Sequence, residues 1–461
     1  MSGATVVISP AGYSVAPTFD YYISPTGSDA NAGTLASPWA ITSLQDTNSH
    51  NSTMAGKRIG LLPGTYDIHT LASGSHPADY TYPVLDIPSG SAGTPTYVGS
   101  SDASGYYSPR TATIYNVGGQ TTNASLGQNT TRTGNFTLDG IVLNVTGLNC
   151  SGIAANYGGS VTNGPGTVAG ITIKNCEVYG LNGTTSGNNY ACITLQNADA
   201  PLITGNKLHD MTGWDPVHIH GYLEFACTNS VITYNTIYNA PGGTDMKSGC
   251  AGQTIAYNYF YNLSNCAVRG LDGAQGNPNS PSTGYTVHHN VMDNVFRIGV
   301  GDLNSSRYQN ISVYNNTLYD PSVSGISGLN LVMAGGATCQ FYNNILYTPN
   351  ATSGWSGGAW GPNSGGAALW DYNCYFASSY TNFWSLYGGT VYSSLASWQG
   401  ASGTPDTHSF TSNPSFVSAI TTGAGVNQFK LAGGSPCAGT GQAGATMGAW
   451  DGSVSQIGAN F

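Results

Sequence analysis

The chain has 461 residues, a formal net charge of −10 from 21 acidic and 11 basic side chains, and only 7% charged residues beside 11% aromatic and 40% hydrophobic ones. That length exceeds what one layered core usually fills, which leaves several domains or a repeat that grows by stacking; the aromatic content excludes wholesale disorder. Scarce cations exclude a nucleic-acid-binding footprint, and no run approaches the roughly 18 apolar residues of a membrane-spanning helix.

In chain order, residues 1–19 form an N-terminal extension whose opening, MSGATVVISPAGYSVAPTF, lacks the basic and apolar regions of a secretory signal. Residues 20–71 are expected to cap the structure that follows, with one amphipathic helix near SPWAITSLQDTN (37–48). From about residue 170 a phrase recurs in which a β-branched or aromatic run meets Asn and then an apolar pair: ITIKNCEVYG, PLITGNKLHD, VITYNTIYNA, TIAYNYFYNL, YTVHHNVMDN, ISVYNNTLYD, CQFYNNILYT and LWDYNCYFAS. The Asn residues are Asn175, Asn206, Asn235, Asn258, Asn290, Asn316, Asn344 and Asn373. Their spacing of 23 to 32 residues is too short for βαβ units and suits one turn of a β-solenoid with variable loops.

Each phrase alternates apolar and polar residues, as a strand with one buried face does. Asn suits the left-handed corner where the strand turns, and stacked Asn side chains can bond along a ladder. The reading is an all-β chain: a single right-handed parallel β-helix over 20–403 with its N-terminal cap, a loop or insertion at 380–403, and an irregular C-terminal capping segment over 404–461. Nine cysteines without a CxxC pair argue against a zinc ribbon and leave two readings, inter-coil bridges or small buried apolar residues.

The strands preceding the Asn phrases can be aligned as ACITLQ, PVHIHG, TDMKSG, CAVRGL and VFRIGV. With Val217, Ile219, Met246 and Val268 inward, alternation turns His218, His220, Asp245, Lys247 and Arg269 outward. His220, Lys247 and Arg269 then share one column on successive coils, with Arg297 the fourth candidate. Like charges one strand apart are unfavourable without an anion between them, so this face is expected to bind an anionic partner. Its chemistry suits β-elimination on a uronic-acid polysaccharide, in which cations stabilise the enolate-like dianion and a partly desolvated Lys removes the proton.

The opening YYISPTGSDANAGTLASPWAITSLQ and the closing DTHSFTSNPSFV, FKLAGGSPCAGTGQ and MGAWDG resemble the end motifs of the pectate-lyase-like β-helix superfamily, and GTDMKSGCAGQTIAYNYFYNLSNCAVRG resembles the Lys-then-Arg segment of alginate lyases and chondroitinase B. The resemblance implies a secreted polysaccharide lyase with Lys247 as base and Arg269 as carboxylate or acid partner. Substrate contacts would come from His218, His220, Asp245, Asp272 and Arg297. Some such lyases use calcium, but the acids here are Asp215, Asp245 and Asp272, without a Glu-rich ligand set, so no cofactor is expected and calcium is the one candidate. His218 and His220 could share a zinc ion, yet no third ligand is apparent. No adjacent Asp pair supports a hydrolase. The competing class is a non-catalytic glycan-binding β-helix or virion spike, extracellular and self-assembling or virion-attached, in which exposed Tyr, Trp214 and Trp360 stack on sugars.

Overall fold

The computed structural model describes residues 19–71, 83–118, 124–156, 168–183, 190–213, 219–247, 249–271, 284–300, 310–322, 329–331, 339–351, 368–379, 384–385, 390–400 and 406–460. The strands stack coil upon coil in two long ladders. One runs from Tyr21–Ile23 through Arg58–Leu61, Gly134–Asp139, Leu202–Thr204 and Thr254–Ala256 to Ala368–Asp371, every neighbour parallel. The other collects the strands that follow the Asn corner, such as Glu177–Tyr179, Lys207–His209 and Cys374–Ala377, together with Ser151–Ala155, Tyr190–Gln196 and Ile219–Phe225. Strands Thr236–Lys247, Tyr259–Leu271 and Val291–Val300 are long, and the register between them shifts near Ala240, Leu263 and Cys266. Parallel neighbours joined by short crossovers give a right-handed parallel β-helix. Among the described residues no helix is long and apolar enough to cross a membrane.

The core is built from columns that the alternation predicts. Ile173, Ile203, Ile232, Ile255, Val287, Val313, Phe341 and Trp370 lie register to register down the interior, none more than 2% exposed. Beside this column runs the Asn ladder. Each interior Asn Oδ1 accepts the backbone N–H of the ladder residue one coil earlier, as Asn290 does from Asn258 N at 2.9 Å. Its Nδ2 donates to a carbonyl of the previous coil, for Asn290 the Ile255 oxygen at 2.9 Å.

The sequence register needs two corrections here. The first phrase is out of step by one: Cys176, not Asn175, occupies the ladder row and donates its N–H to Asn206 Oδ1 at 3.0 Å, while Asn175 bonds Asp139 at 2.8 Å. The left-handed corner belongs to the residue before each ladder Asn, namely Asn175, Gly205, Tyr234, Tyr257, His289, Asn315, Asn343 and Tyr372, all at positive φ. The ladder Asn itself is the bonding residue. Its amide bonds offset the strain of placing Tyr or His in a left-handed conformation.

At the N-terminal end the expected helix divides into a 3-10 turn, Ile41–Leu44, and a short α-helix, Ser49–Thr53, capped by Asn48. A polar staple holds this cap to the first coils. Buried Asp86 accepts from Arg132 Nε at 2.7 Å and from Asn129 N at 2.9 Å, and Arg132 also donates to Asn51 Oδ1 of the cap at 2.9 Å. Arg132→Ala leaves the Asp86 charge buried without its cation, so chemical denaturation should show a loss of about 3–5 kcal/mol.

The C-terminal segment does more than cap. The Asn ladder ends on it, Asn373 N donating to Ser409 Oγ at 2.7 Å. It then doubles back along the outside of the helix: Gly448 N bonds Asn343 O, Ala449 N bonds Thr317 Oγ1, Asp451 meets His289, and Ala459 N reaches Thr236 Oγ1 at 2.9 Å. Phe429, Ala449 and Ile457 pack onto Tyr259, Val291 and Tyr319. The stretch expected as a loop or insertion at 380–403 contains a helix, Leu395–Gln399, opened by a Ser394 capping box. The eight cysteines whose side chains are described are all buried.

Candidate functional site on the second sheet

Ile219–Phe225, Thr236–Lys247 and Tyr259–Leu271 lie side by side and carry the site. Tyr222, Met246 and Val268 point into the core and are fully buried, so the intervening Leu223, Asp245, Lys247 and Arg269 face outward, as alternation requires. Asp245 is 0% exposed and Lys247 7%, with Lys247 Nζ 3.4 Å from Asp245 Oδ2. Arg269 pairs in register with Asp245 on the next strand and is half-buried. Asp245 therefore stands between a cation two residues along its own strand and a cation one strand over, about 4.8 Å away in the ladder direction.

The expected single column is replaced by a diagonal. Lys247 pairs with Phe225 and Leu271, not with Arg269. Aligning Met246 with Val268 slipped the pairing by two residues, because Val268 in fact lies opposite Thr244. A slip of two keeps the face and moves the row, so the face was legible and the row was not. His220 lies in a third row: its backbone pairs with Gly242, which pairs with Cys266, which pairs with Arg297. The side chains of His220 and Arg297, and all of Val217, His218, Asp215 and Asp272, fall outside the described residues.

Two features of this face were missed. Ala191, Leu223 and Phe225 form an apolar cluster on the outer side, and Lys247 Nζ lies 6.0 Å from the Phe225 ring centroid. The sequence offered no sign of it, since an outward Phe looks like a core residue until the register is known. Lys247, expected to be partly desolvated, is 7% exposed and also paired with Asp245. A carboxylate at 3.4 Å favours the ammonium form, as the Phe225 ring face does weakly, whereas burial favours loss of its proton if the pair opens.

A second polar cluster lies on the neighbouring outer face. His209 is held between Glu177 Oε1 and Asp210 Oδ2, each at 2.9 Å, and Lys207 Nζ meets Glu177 at 3.0 Å. These contacts hold the Glu177 carboxyl down at about 2, the His209 hydrogen bond being the largest cause. Tyr179, His209, Tyr238 and Tyr261 stack on successive coils with centroids 4.4 to 5.2 Å apart. Each inner ring is covered on both faces, so the column presents edges rather than sugar-stacking platforms. Trp214 and Trp360 lie outside the described residues.

Directly behind the site, inside the core, Glu224 accepts from Tyr222 and Ser230 hydroxyls at 2.7 Å each, and burial pushes its carboxyl up from 4.5 to about 7. Burial likewise pushes Asp406 to about 7 and Asp86 to about 6. These folded-state values lie above the unfolded ones, so the stability they contribute is full below the ordinary carboxylate range and is lost as pH rises toward about 7. Thermal unfolding should therefore occur at higher temperature at pH 5 than at pH 8. Glu224→Gln should remove about 3 kcal/mol of that dependence; an unchanged slope would contradict the placement of Glu224.

No protein-family model matches the chain, and no curated protein matches it. Among solved structures it aligns with XylC in complex with xylose at 12% identity and TM-score 0.44, over 80% of this chain and 86% of that one. It aligns with pectate lyase Pel9A at 15% identity and TM-score 0.40, over 94% of this chain and 96% of that one. A third alignment is to the A-module of Azotobacter vinelandii mannuronan C-5 epimerase AlgE6, at 14% identity and TM-score 0.41, over 76% of this chain and 92% of that one. What the chain's own parallel ladders, Asn row and continuous core establish is the right-handed parallel β-helix.

Proposed function

We propose that this chain cleaves a uronic-acid polysaccharide by β-elimination on the outer face of the second sheet. The observation that carries the proposal is the pair of cations, Lys247 and Arg269, on one outward face at adjacent strands, flanking a fully buried carboxylate. Only 11 of 461 residues are Lys or Arg, and a buried Asp–Lys pair on an outer sheet face is costly unless it serves a purpose there. In this reading the substrate carboxylate meets Arg269 and competes with Asp245 for Lys247. The freed Lys247 amine takes the proton alpha to the carboxylate, the electron pair forms the new double bond, and the glycosidic oxygen leaves from the beta carbon with a proton returned to it. Arg269 offsets the dianion that forms on the way. Asp245 is assigned the task of orienting Lys247 rather than of binding sugar. No metal is routed through the reaction. The location that follows is extracellular, secreted or on a virion surface.

The Lys247–Asp245 contact at 3.4 Å also favours a second reading, in which the pair is structural and the protein is a non-catalytic glycan-binding or virion spike β-helix. Incubation with alginate, pectate and glycosaminoglycans while following ultraviolet absorbance of the unsaturated product separates them. Rising absorbance on at least one polymer, abolished in Arg269→Ala, is the lyase result. Flat traces on all three, with binding retained, leave the structural reading.

A further inference from the structure

The C-terminal segment holds to the helix by scattered contacts. Beyond the single bridges Phe410 to Cys374 and Phe416 to Leu431, it forms no ladder among the described residues. The end of a solenoid is also where local opening begins, since the last coil has a neighbour on one side only. At this junction two cysteines meet. Cys374 opens the last strand of the second sheet, Cys374–Ala377, and Cys437 lies in the returning segment; both are fully buried in one cluster with Ile345 and Met447. The neighbouring Cys437 thiol, together with burial, pushes the Cys374 thiol up, and Cys374 Sγ donates to Ser412 O at 3.2 Å. The backbone around Cys437 is pinned on both sides, its N–H donating to Ser435 Oγ at 3.1 Å and its carbonyl accepting from Met447 N at 2.9 Å.

The interior Cys227 and Cys250 sit on neighbouring coils with their thiols on the carbonyls of Phe225 at 3.5 Å and Lys247 at 3.0 Å; burial, not a partner thiol, is what raises them most. We infer that Cys374 and Cys437 form a disulfide when the chain folds in an oxidising compartment, bolting the C-terminal segment to the last coil. The two thiols give up two protons and two electrons to a disulfide oxidant such as oxidised glutathione, which leaves as two reduced thiols. Because both sulfurs are buried, exchange proceeds during folding or through opening of the returning segment. The bond closes a long loop, the arrangement in which a cross-link restricts the unfolded chain most.

The test uses the full chain refolded with and without oxidised glutathione. Thiol titration in denaturant should fall by two of the nine cysteines, and a non-reduced digest should contain one peptide pair joining Cys374 to Cys437. The oxidised form should melt a few degrees above the reduced one, and Cys437→Ser should melt alike in both. Nine titratable thiols after oxidation, glutathione adducts alone, or a cross-link between another pair such as Cys227 and Cys250 would overturn the assignment. The peptide map of the unsubstituted chain decides the matter even if Cys437→Ser does not fold.

Discussion

Lys247→Met should lower the rate of unsaturated-uronide formation by about a hundred- to ten-thousand-fold, the range in which a positioned general base contributes. The substitution keeps the length of the stem against Phe225 but removes the amine. It also leaves Asp245 buried without its ammonium partner, which by itself could destabilise the coil by about 3–5 kcal/mol. Asp245→Asn combined with Lys247→Met removes both charges and should restore stability while leaving the rate low, which separates lost chemistry from lost fold. Asp245→Asn alone removes the carboxylate that favours the ammonium, so the acid limb of the pH–rate profile should move to lower pH. A limb that stays in place, at unchanged kcat, would count against Lys247 as the base.

Asn290→Ala should destabilise the protein by about 3 kcal/mol or more, measured as the free energy of the first denaturant transition. Its side chain accepts from Asn258 N at 2.9 Å and Asn258 Nδ2 at 3.0 Å, and donates to Ile255 O, His288 O and Asn316 Oδ1 at 2.9 to 3.0 Å. Truncation orphans groups on three consecutive coils, all in a core too dry for water to replace the partner. Asn262 is the contrast. It belongs to a second, exposed row in which Asn262 Nδ2 donates to Asn239 Oδ1 at 2.7 Å and Asn294 Nδ2 to Asn262 Oδ1 at 3.2 Å. There water substitutes freely, and Asn262→Ala should cost little beyond the strain of Ala at a φ of 52°, about 1 kcal/mol.

The architecture was legible because its signals are local and repeated: alternation fixes the inward face, and Asn recurs once per coil. Row assignment was not, because it depends on how loops between strands absorb length. ITIKNC and LITGN align without a gap, so Asn175 falls on the corner opposite Gly205 and Cys176, not an Asn, takes the ladder position. TDMK and AVRG could slide by two without changing any face. The outward direction of Lys247 and Arg269 therefore survived the register error, whereas their shared column did not. The pairing of Lys247 with Asp245 could not be read, since alternation says which side a residue faces and nothing of what else lies on that side. The return of the C-terminal segment to Thr236 was likewise hidden, its contacts joining residues some two hundred positions apart with no common pattern.

The most direct test of a β-eliminating face built on Lys247 and Arg269 is mass analysis of the oligosaccharides released from uronate polymers by the unsubstituted chain. β-Elimination predicts products carrying a new double bond, each one water lighter than a hydrolysis fragment of the same length, and their loss in Arg269→Ala. Fragments at the hydrolytic mass, or no fragments from alginate, pectate or glycosaminoglycans, would contradict it.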